Sequence, residues 1–403
     1  MGLRMVLKSA CLVAVVGGLS VGCGALTKDN HDEWVKNATE GWSLTKAEID
    51  LQMATDAFNS GNLDLAQNHV NKANTYAPEY APMWLMNGRI ALEKSELESS
   101  YRSFDKAIEF DPELAEAYYY QGVVSQRWQR YENALEKYTK AYELDADNPA
   151  FYLAKAEMMI ELGRLVQVAA ELEEKARYFD QNAAMRAMLG HVKRHQGDHH
   201  AAAMWFKQAT MLAPEDMKLR EELAREQMQT QDYFQASITL RDLVRTEYAN
   251  GRADLSRMLA QAYVKQDKLR EARGIYSELT HLDPASVEDW FQQGNLAFRL
   301  GEYPAALQCA NRLITLSPDD HRGYLMAGMC WSKRERIDRA LSLFDRAAEL
   351  APTDTTPLIL RGIALQKTDR PAAAADAYRR AVQLNPDDTR AQRLLSSVNE
   401  QLR

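Results

Sequence analysis

The chain has 403 residues, 46% hydrophobic and 26% charged, with only 12 prolines and 19 glycines; that balance excludes disordered, collagen-like and mucin-like chains. A formal charge of −8 argues against nucleic acid as the main partner, because binding phosphates needs a basic footprint. Ala, Leu, Glu, Arg and Gln are plentiful and β-branched residues sparse beyond the first thirty positions, a helix-former's bias that excludes all-β architectures.

Residues 1–22 are predicted to be an export signal of lipoprotein type. Arg4 and Lys8 form a basic start, an uncharged run extends from Ser9 to Leu26, and the segment ends Leu19-Ser20-Val21-Gly22-Cys23. This end resembles a lipobox, which makes Cys23 the candidate lipidation site. Ser20 departs from the pattern, since the usual Leu falls one place earlier at Leu19. A retained membrane anchor is an alternative, because the run is at the lower length limit for spanning a bilayer; a simple secreted precursor is another. All three readings place the rest of the chain outside a bacterial cytoplasm. Gly24 stands where the lipoprotein rule would need Asp for inner-membrane retention, so the expected location is the outer membrane, facing the periplasm, with inner-membrane anchoring as the alternative. Residues 23–46 read as a lipid-anchored tether, and Trp34 and Trp42 suggest that it docks on the chain beyond residue 46.

From residue 47 the chain repeats itself. Trp84, Gly88, Phe104, Ala107 and Pro112 recur 34 residues later as Tyr118, Gly122, Tyr138 and Ala141, and again as Tyr324, Gly328, Phe344, Ala347 and Pro352. Ten frames can be set out: 47–80, 81–114, 115–148, 149–182, 183–216, 217–252, 253–286, 287–320, 321–354 and 355–388. Each carries two stretches of helical periodicity split by a turn such as Leu300-Gly301-Glu302, which predicts an antiparallel helix pair. The fourth frame reads as carrying an extra residue near Val168-Ala169, and the sixth runs two residues long with Tyr248 where Pro would sit. The spacing resembles the tetratricopeptide repeat. The resemblance implies an all-α fold, a right-handed superhelical α-solenoid over 47–388, ended by an amphipathic capping helix over 389–403.

No catalytic motif survives inspection. A G-x-S-x-G match at residues 18–22 lies in the export signal, and there is no P-loop, G-x-G-x-x-G, H-E-x-x-H or C-x-x-C, so neither an enzyme nor a cofactor is expected. His191, His195 and His199 fall close together and are the metal candidates, weighed against an exposed polar turn. The resemblance implies a concave groove lined by the second, fifth, ninth, twelfth and thirteenth positions of each first helix. Those positions hold Leu51, Phe58, Leu85, Arg89, Tyr119 and Leu153 early in the chain. They hold His191, Arg194, His195, Arg225, Arg257 and Lys265 in the middle, and Phe291, Asn295, Phe298, Leu325, Met329, Ile359 and Ile363 late. The groove is thus expected to have a basic middle between two apolar stretches. The implied function is a non-catalytic scaffold that takes protein or peptide segments and supports an envelope machine such as a pilus or secretion system. The alternatives are a polysaccharide-export accessory that binds glycan, and an adaptor for peptidoglycan enzymes.

Overall fold

A computed structural model describes residues 28–403, with side chains from Glu33 onward; the export signal and Cys23 lie outside the described residues. Among the described residues there are 21 α-helices, one short 3-10 helix and no strand. None of these helices is long and apolar enough to cross a membrane. Two compact units divide the chain, one ending at Met158 and the other running from Met159, with the boundary inside α7 (Pro149–Glu161). The 34-residue period runs unchanged through residue 158 and does not announce that division.

The helices keep the register of the frames. In the first unit, α1 (Lys28–Asn59) and α2 (Leu63–Tyr76), α3 (Ala81–Glu93) and α4 (Leu97–Phe110), and α5 (Ala115–Arg127) and α6 (Tyr131–Leu144) form antiparallel pairs, with α7 after them. The second unit continues with α8 (Leu165–Tyr178), then the pairs α9 (Ala183–His195) with α10 (His199–Leu212) and α11 (Met217–Gln229) with α12 (Tyr233–Leu243). After them come α13 (Ala253–Lys265) and α14 (Leu269–Leu282), α15 (Val287–Arg299) and α16 (Tyr303–Leu316), α17 (His321–Lys333) and α18 (Ile337–Leu350), and α19 (Thr356–Gln366) and α20 (Pro371–Leu384). The lone α21 (Thr389–Gln401) buries Ala391 and Val398 and leaves its other face in solvent, as a cap must.

Steric fit within each pair explains the repeated residues. A Cβ on Gly122 would lie 2.6 Å from the Tyr138 ring, and one on Gly190 would lie 2.9 Å from the Phe206 ring. The eighth-position glycine is therefore the slot for the aromatic ring of its own second helix. The eighth pair lacks that ring, having Ala310 at the position, and there Met326 of α17 and Cys309 fill the slot beside Gly294. Cys309 and Cys330 are both free and buried in this core. The twentieth-position alanines, such as Ala134, Ala202 and Ala340, have no exposed surface. At the fifteenth position the turn needs a left-handed residue: Gly61, Gly163, Gly197 and Gly301 supply it, whereas Ser95 (φ 62°), Gln129 (φ 59°) and Gln231 (φ 61°) adopt it against their intrinsic preference. Successive pairs are tied by a fourth-position side chain that donates to the proline carbonyl six residues back: Trp84 to Pro78 (2.7 Å), Trp290 to Pro284 (3.0 Å) and Tyr324 to Pro318 (3.1 Å).

Helix bounds correct two of the expectations and give the sixth frame's extra length a structural form. The fourth frame has no inserted residue, because α8 has the usual 14 residues; fully buried Val168 simply replaces the usual alanine. The two additional residues of the sixth frame shorten α12 to 11 residues, and a 3-10 turn over Glu247–Ala249 comes after it. Residues 28–46 of the segment read as a tether form the first part of α1, and Trp34 and Trp42 do not dock on the first repeat: they are 68% and 63% exposed.

Candidate partner-binding site

The first helices of the second unit carry the predicted groove arginines, and each is held by an acidic partner. Arg194 of α9 donates from Nη2 to Glu222 (2.5 Å) and from Nε to Glu226, both on α11, while its guanidinium lies 5.0 Å from the centre of the Phe206 ring. Burial opposes its charge, but the hydrogen bonds to Glu222 and Glu226 outweigh this and hold Arg194 above the ordinary guanidinium range. Arg225 of α11 donates to Glu221 (2.5 Å) and lies 3.7 Å from Asp254. Glu221 also accepts from Arg252 (2.9 Å) and from the Tyr248 hydroxyl (2.6 Å). Burial works against its charge, but the donors Arg252, Tyr248 and Arg225 prevail and lower its carboxyl pKa to about 2. Arg257 of α13 forks onto Asp289 of α15 through two bonds of 2.8 and 2.7 Å. Asp289 is 1% exposed and takes a third bond from Ser286 Oγ.

The middle of the candidate groove is therefore not a basic stretch. It is a ladder of matched charges: Arg194 and Arg257 meet acids on the next first helix, and Arg225 is held by Glu221 of its own helix, with Asp254 of the next 3.7 Å away. The acids were the missed residues, and their signal was available: Arg194 and Glu226, like Arg257 and Asp289, stand 32 residues apart.

A cleft of 540 Å³ opens over α9, α11 and α13, walled by Arg194, Arg225, Met228, Met258, Gln261 and Lys265. Arg194 and Arg225 are committed to carboxylates; Lys265 is exposed and has no ion-pair partner among the described residues. His199, Glu226, Gln229 and Tyr233 also line it, with Glu226 taken up by Arg194 and His199, so the wall offers an unspent cation, two thioethers and the side-chain amides of Gln229 and Gln261. These groups suit a peptide with an acidic side chain, an apolar side chain and backbone groups that need partners.

The remaining predicted groove residues divide between surface and core. Asn295 is exposed, whereas Met329 packs on the Phe344 core. Leu325 and Ile359, at 9% and 3% exposure, are core residues and leave the groove list. Phe291 lies under the Arg322 guanidinium (4.7 Å) and Phe298 packs on Tyr303 (5.5 Å). In the first unit, Tyr119 is enclosed by Tyr120, Tyr138 and Phe151, each with its ring centre 5.3–5.5 Å away. Arg89 there lies over Phe58 (4.8 Å) and Tyr120 (5.5 Å).

The histidine candidates are engaged separately. His191 meets the Phe206 ring edge-on at 5.0 Å, and burial pushes its pKa below the ordinary imidazole value. His199 Nδ1 lies 2.7 Å from Glu226, and His195 is exposed. Among the described residues no group of three or more His, Cys, Asp or Glu is placed to hold a metal ion.

Two family models described as tetratricopeptide repeat match the sequence. One matches residues 85–149, 257–321, 291–355 and 359–403, more than half of the chain, and the other residues 183–216. No curated protein matches. Similar solved structures include MamA 41-end from Desulfovibrio magneticus RS-1, 16% identical, covering 43% of this chain and 97% of that one with a TM-score of 0.39. A chain of the APC/C hetero-tetramer Cut9–Hcn1 is 12% identical over 93% of this chain and 97% of that one, with a TM-score of 0.39. Yeast Tom70 is 14% identical over 88% of each chain, with a TM-score of 0.37. Tetratricopeptide repeats typically mediate protein–protein interaction by holding peptide or protein partners, and the scaffold is generally non-catalytic. The 34-residue helix pairs, the glycine slot under an aromatic ring and the family match agree: this chain belongs to the tetratricopeptide repeat family.

Proposed function

We propose that this protein is an exported, lipid-anchored scaffold without catalytic activity, facing the periplasm from the outer membrane. It holds an extended segment of a partner protein during assembly or operation of an envelope machine such as a pilus or secretion system. The observation that carries the peptide reading is the cleft over α9, α11 and α13, where Lys265 is unpaired beside arginines already neutralised within the fold. An unpaired exposed cation beside a methionine wall offers a partner's carboxylate and apolar side chain something to gain; the paired arginines fix the wall and offer little further charge. The glycan reading is weaker, because sugar stacking needs an open aromatic face and Tyr119, Phe291 and Phe298 are each covered by a neighbouring side chain.

Photo-crosslinking from Gln261 in cells tests the site. A discrete partner adduct that is lost in Lys265→Glu supports the reading, and an adduct pattern unchanged by Lys265→Glu rejects this cleft as the peptide site. Anchoring is tested apart from it: mass spectrometry of the mature protein is expected to find acyl chains on Cys23 that Cys23→Ser lacks, and an unmodified Cys23 in the wild type would reject the lipid anchor.

A further inference from the structure

The first helix presents a face that stays exposed among the described residues. Along α1, Ala47 and Ala54 are buried in the core shared with α2 and α3, and Leu51 and Phe58 pack against the same core. At about 100° per residue, Val35, Trp42, Ile49 and Met53 fall within roughly 40° of one another, away from that buried side. They are 43%, 63%, 53% and 48% exposed, and Trp34 beside them is 68% exposed. Ala38, Thr45 and Gln52 complete a sector about 100° wide. Between residues 34 and 53 that sector contains no charge: Lys36, Glu40, Lys46, Glu48 and Asp50 all project outside it. Lys46 stands at its edge, with Nζ 5.3 Å from both the Trp42 and the Tyr76 rings.

We propose that a phospholipid surface covers this face, with α1 lying in the plane of the interface and Trp34, Val35, Trp42 and Ile49 at the headgroup–acyl boundary. The proposal rests on the envelope-anchored reading above. Cys23 precedes Lys28 by five residues, so a lipidated Cys23 holds the start of α1 within about 18 Å of the membrane. Tryptophan is favoured at that boundary because its ring is apolar and its N–H is polar. Residues 33–53 carry Glu33, Glu40, Glu48 and Asp50 against Lys36 and Lys46, so the contact is apolar, not electrostatic, and does not require anionic lipid. A second copy fits the face less well. With Val35, Trp42 and Ile49 at one heptad position, the other core position is Ala38, Thr45 and Gln52. One small and two polar residues leave that half of the seam without a large apolar side chain. Because α1 is also the first helix of the first repeat, lying on the membrane orients that repeat relative to the lipid.

The full chain reconstituted in phosphatidylcholine vesicles containing acyl-brominated phosphatidylcholine tests this. Trp34→Phe leaves Trp42 as the reporter on α1. An upright helix would carry Trp42 about 20 Å beyond Lys28, out of reach of the quencher, and a flat one keeps it at the boundary. Brominated lipid is expected to quench part of the emission of Trp34→Phe, and the further change Trp42→Phe is expected to abolish that part while far-UV circular dichroism stays unchanged. Adding Trp42→Asp and Ile49→Asp to the Cys23→Ser chain is expected to weaken vesicle partitioning roughly tenfold or more, equally at low and high salt. Quenching of Trp42 that persists in Cys23→Ser shows that the contact stands without an acyl chain at Cys23 and supports the proposal. A membrane-retained wild type whose Trp42 is not quenched overturns the contact while leaving the anchor intact. Disulfide-linked dimers of Trp42→Cys without quenching assign the face to a second copy and overturn the proposal.

Discussion

The same helix face is built in two ways in the two units. In the first, Arg89 of α3 is fixed by aromatic rings, lying over Phe58 and Tyr120. In the second, Arg225 occupies the same ninth position of its repeat and is fixed by carboxylates, Glu221 and Asp254. A guanidinium over a ring needs no buried counter-charge and contributes about 0.5–2 kcal/mol. An arginine forked onto a buried acid is costly to remove, because the acid is then left with neither water nor a mate. The arginine itself, 37% exposed in Arg257 and 43% in Arg225, keeps access to water. A constant backbone repeat thus carries two electrostatic regimes, one indifferent to acid and one sensitive to it.

The sharpest way to break that contrast is to remove one arginine from each regime. Arg257→Met strands Asp289 and is expected to cost about 3–5 kcal/mol, read by urea denaturation. Arg89→Met should cost only about 0.5–2 kcal/mol. The double change Arg257→Met/Asp289→Leu should recover most of the loss, and a double variant as weak as the single one would show that packing, not the stranded charge, sets the cost. Next in size, Gly122→Ala in the first unit and Gly362→Ala in the second push a methyl into the Tyr138 and Tyr378 rings and should each cost about 1–3 kcal/mol. A much smaller effect in one unit would mean that its ring can move aside.

The acid response is graded. The Glu221 carboxyl is depressed to about 2 in the fold, and Asp289 and Asp254 also lie below the usual carboxylate range. Their stabilisation is full above the unfolded carboxylate pKa and is lost as pH falls from there through the folded values, between about 4.5 and 2. Hydrogen exchange at descending pH should open α11, α13 and α15 before α3 and α5; simultaneous opening would erase the distinction. The smallest effect expected is a gain. Gln129→Gly and Gln231→Gly relieve left-handed backbone, one in each unit, and should each add up to about 1 kcal/mol, measured by thermal denaturation.

Much of this was legible in the sequence. Gly122, Tyr138 and Ala134 mark a helix pair because each type answers a steric demand that recurs every 34 residues, and Pro78 and Pro284 mark where one pair hands over to the next. The groove was legible only in outline. Reading Arg194, Arg225 and Arg257 as a basic patch omitted the acids that hold them, Glu222 and Asp289 in the next repeat and Glu221 four residues before Arg225, and Leu325 and Ile359 looked like surface but are core. Val168 looked like an insertion because a substitution and a slipped register look alike without helix bounds. Trp34 and Trp42 looked like residues seeking the first repeat, although their side of α1 turns away from it.

The sequence by itself determined the repeat, its helix pairs and the family, since local periodicity and small-residue slots are written in neighbouring positions. Only the tertiary structure decided which charges are spent and which remain free. Whether Arg257 is available and Lys265 is unpaired depends on side chains that approach from a neighbouring repeat, and the net effect of a charge is set by what lies within a few ångströms of it, not by its own identity.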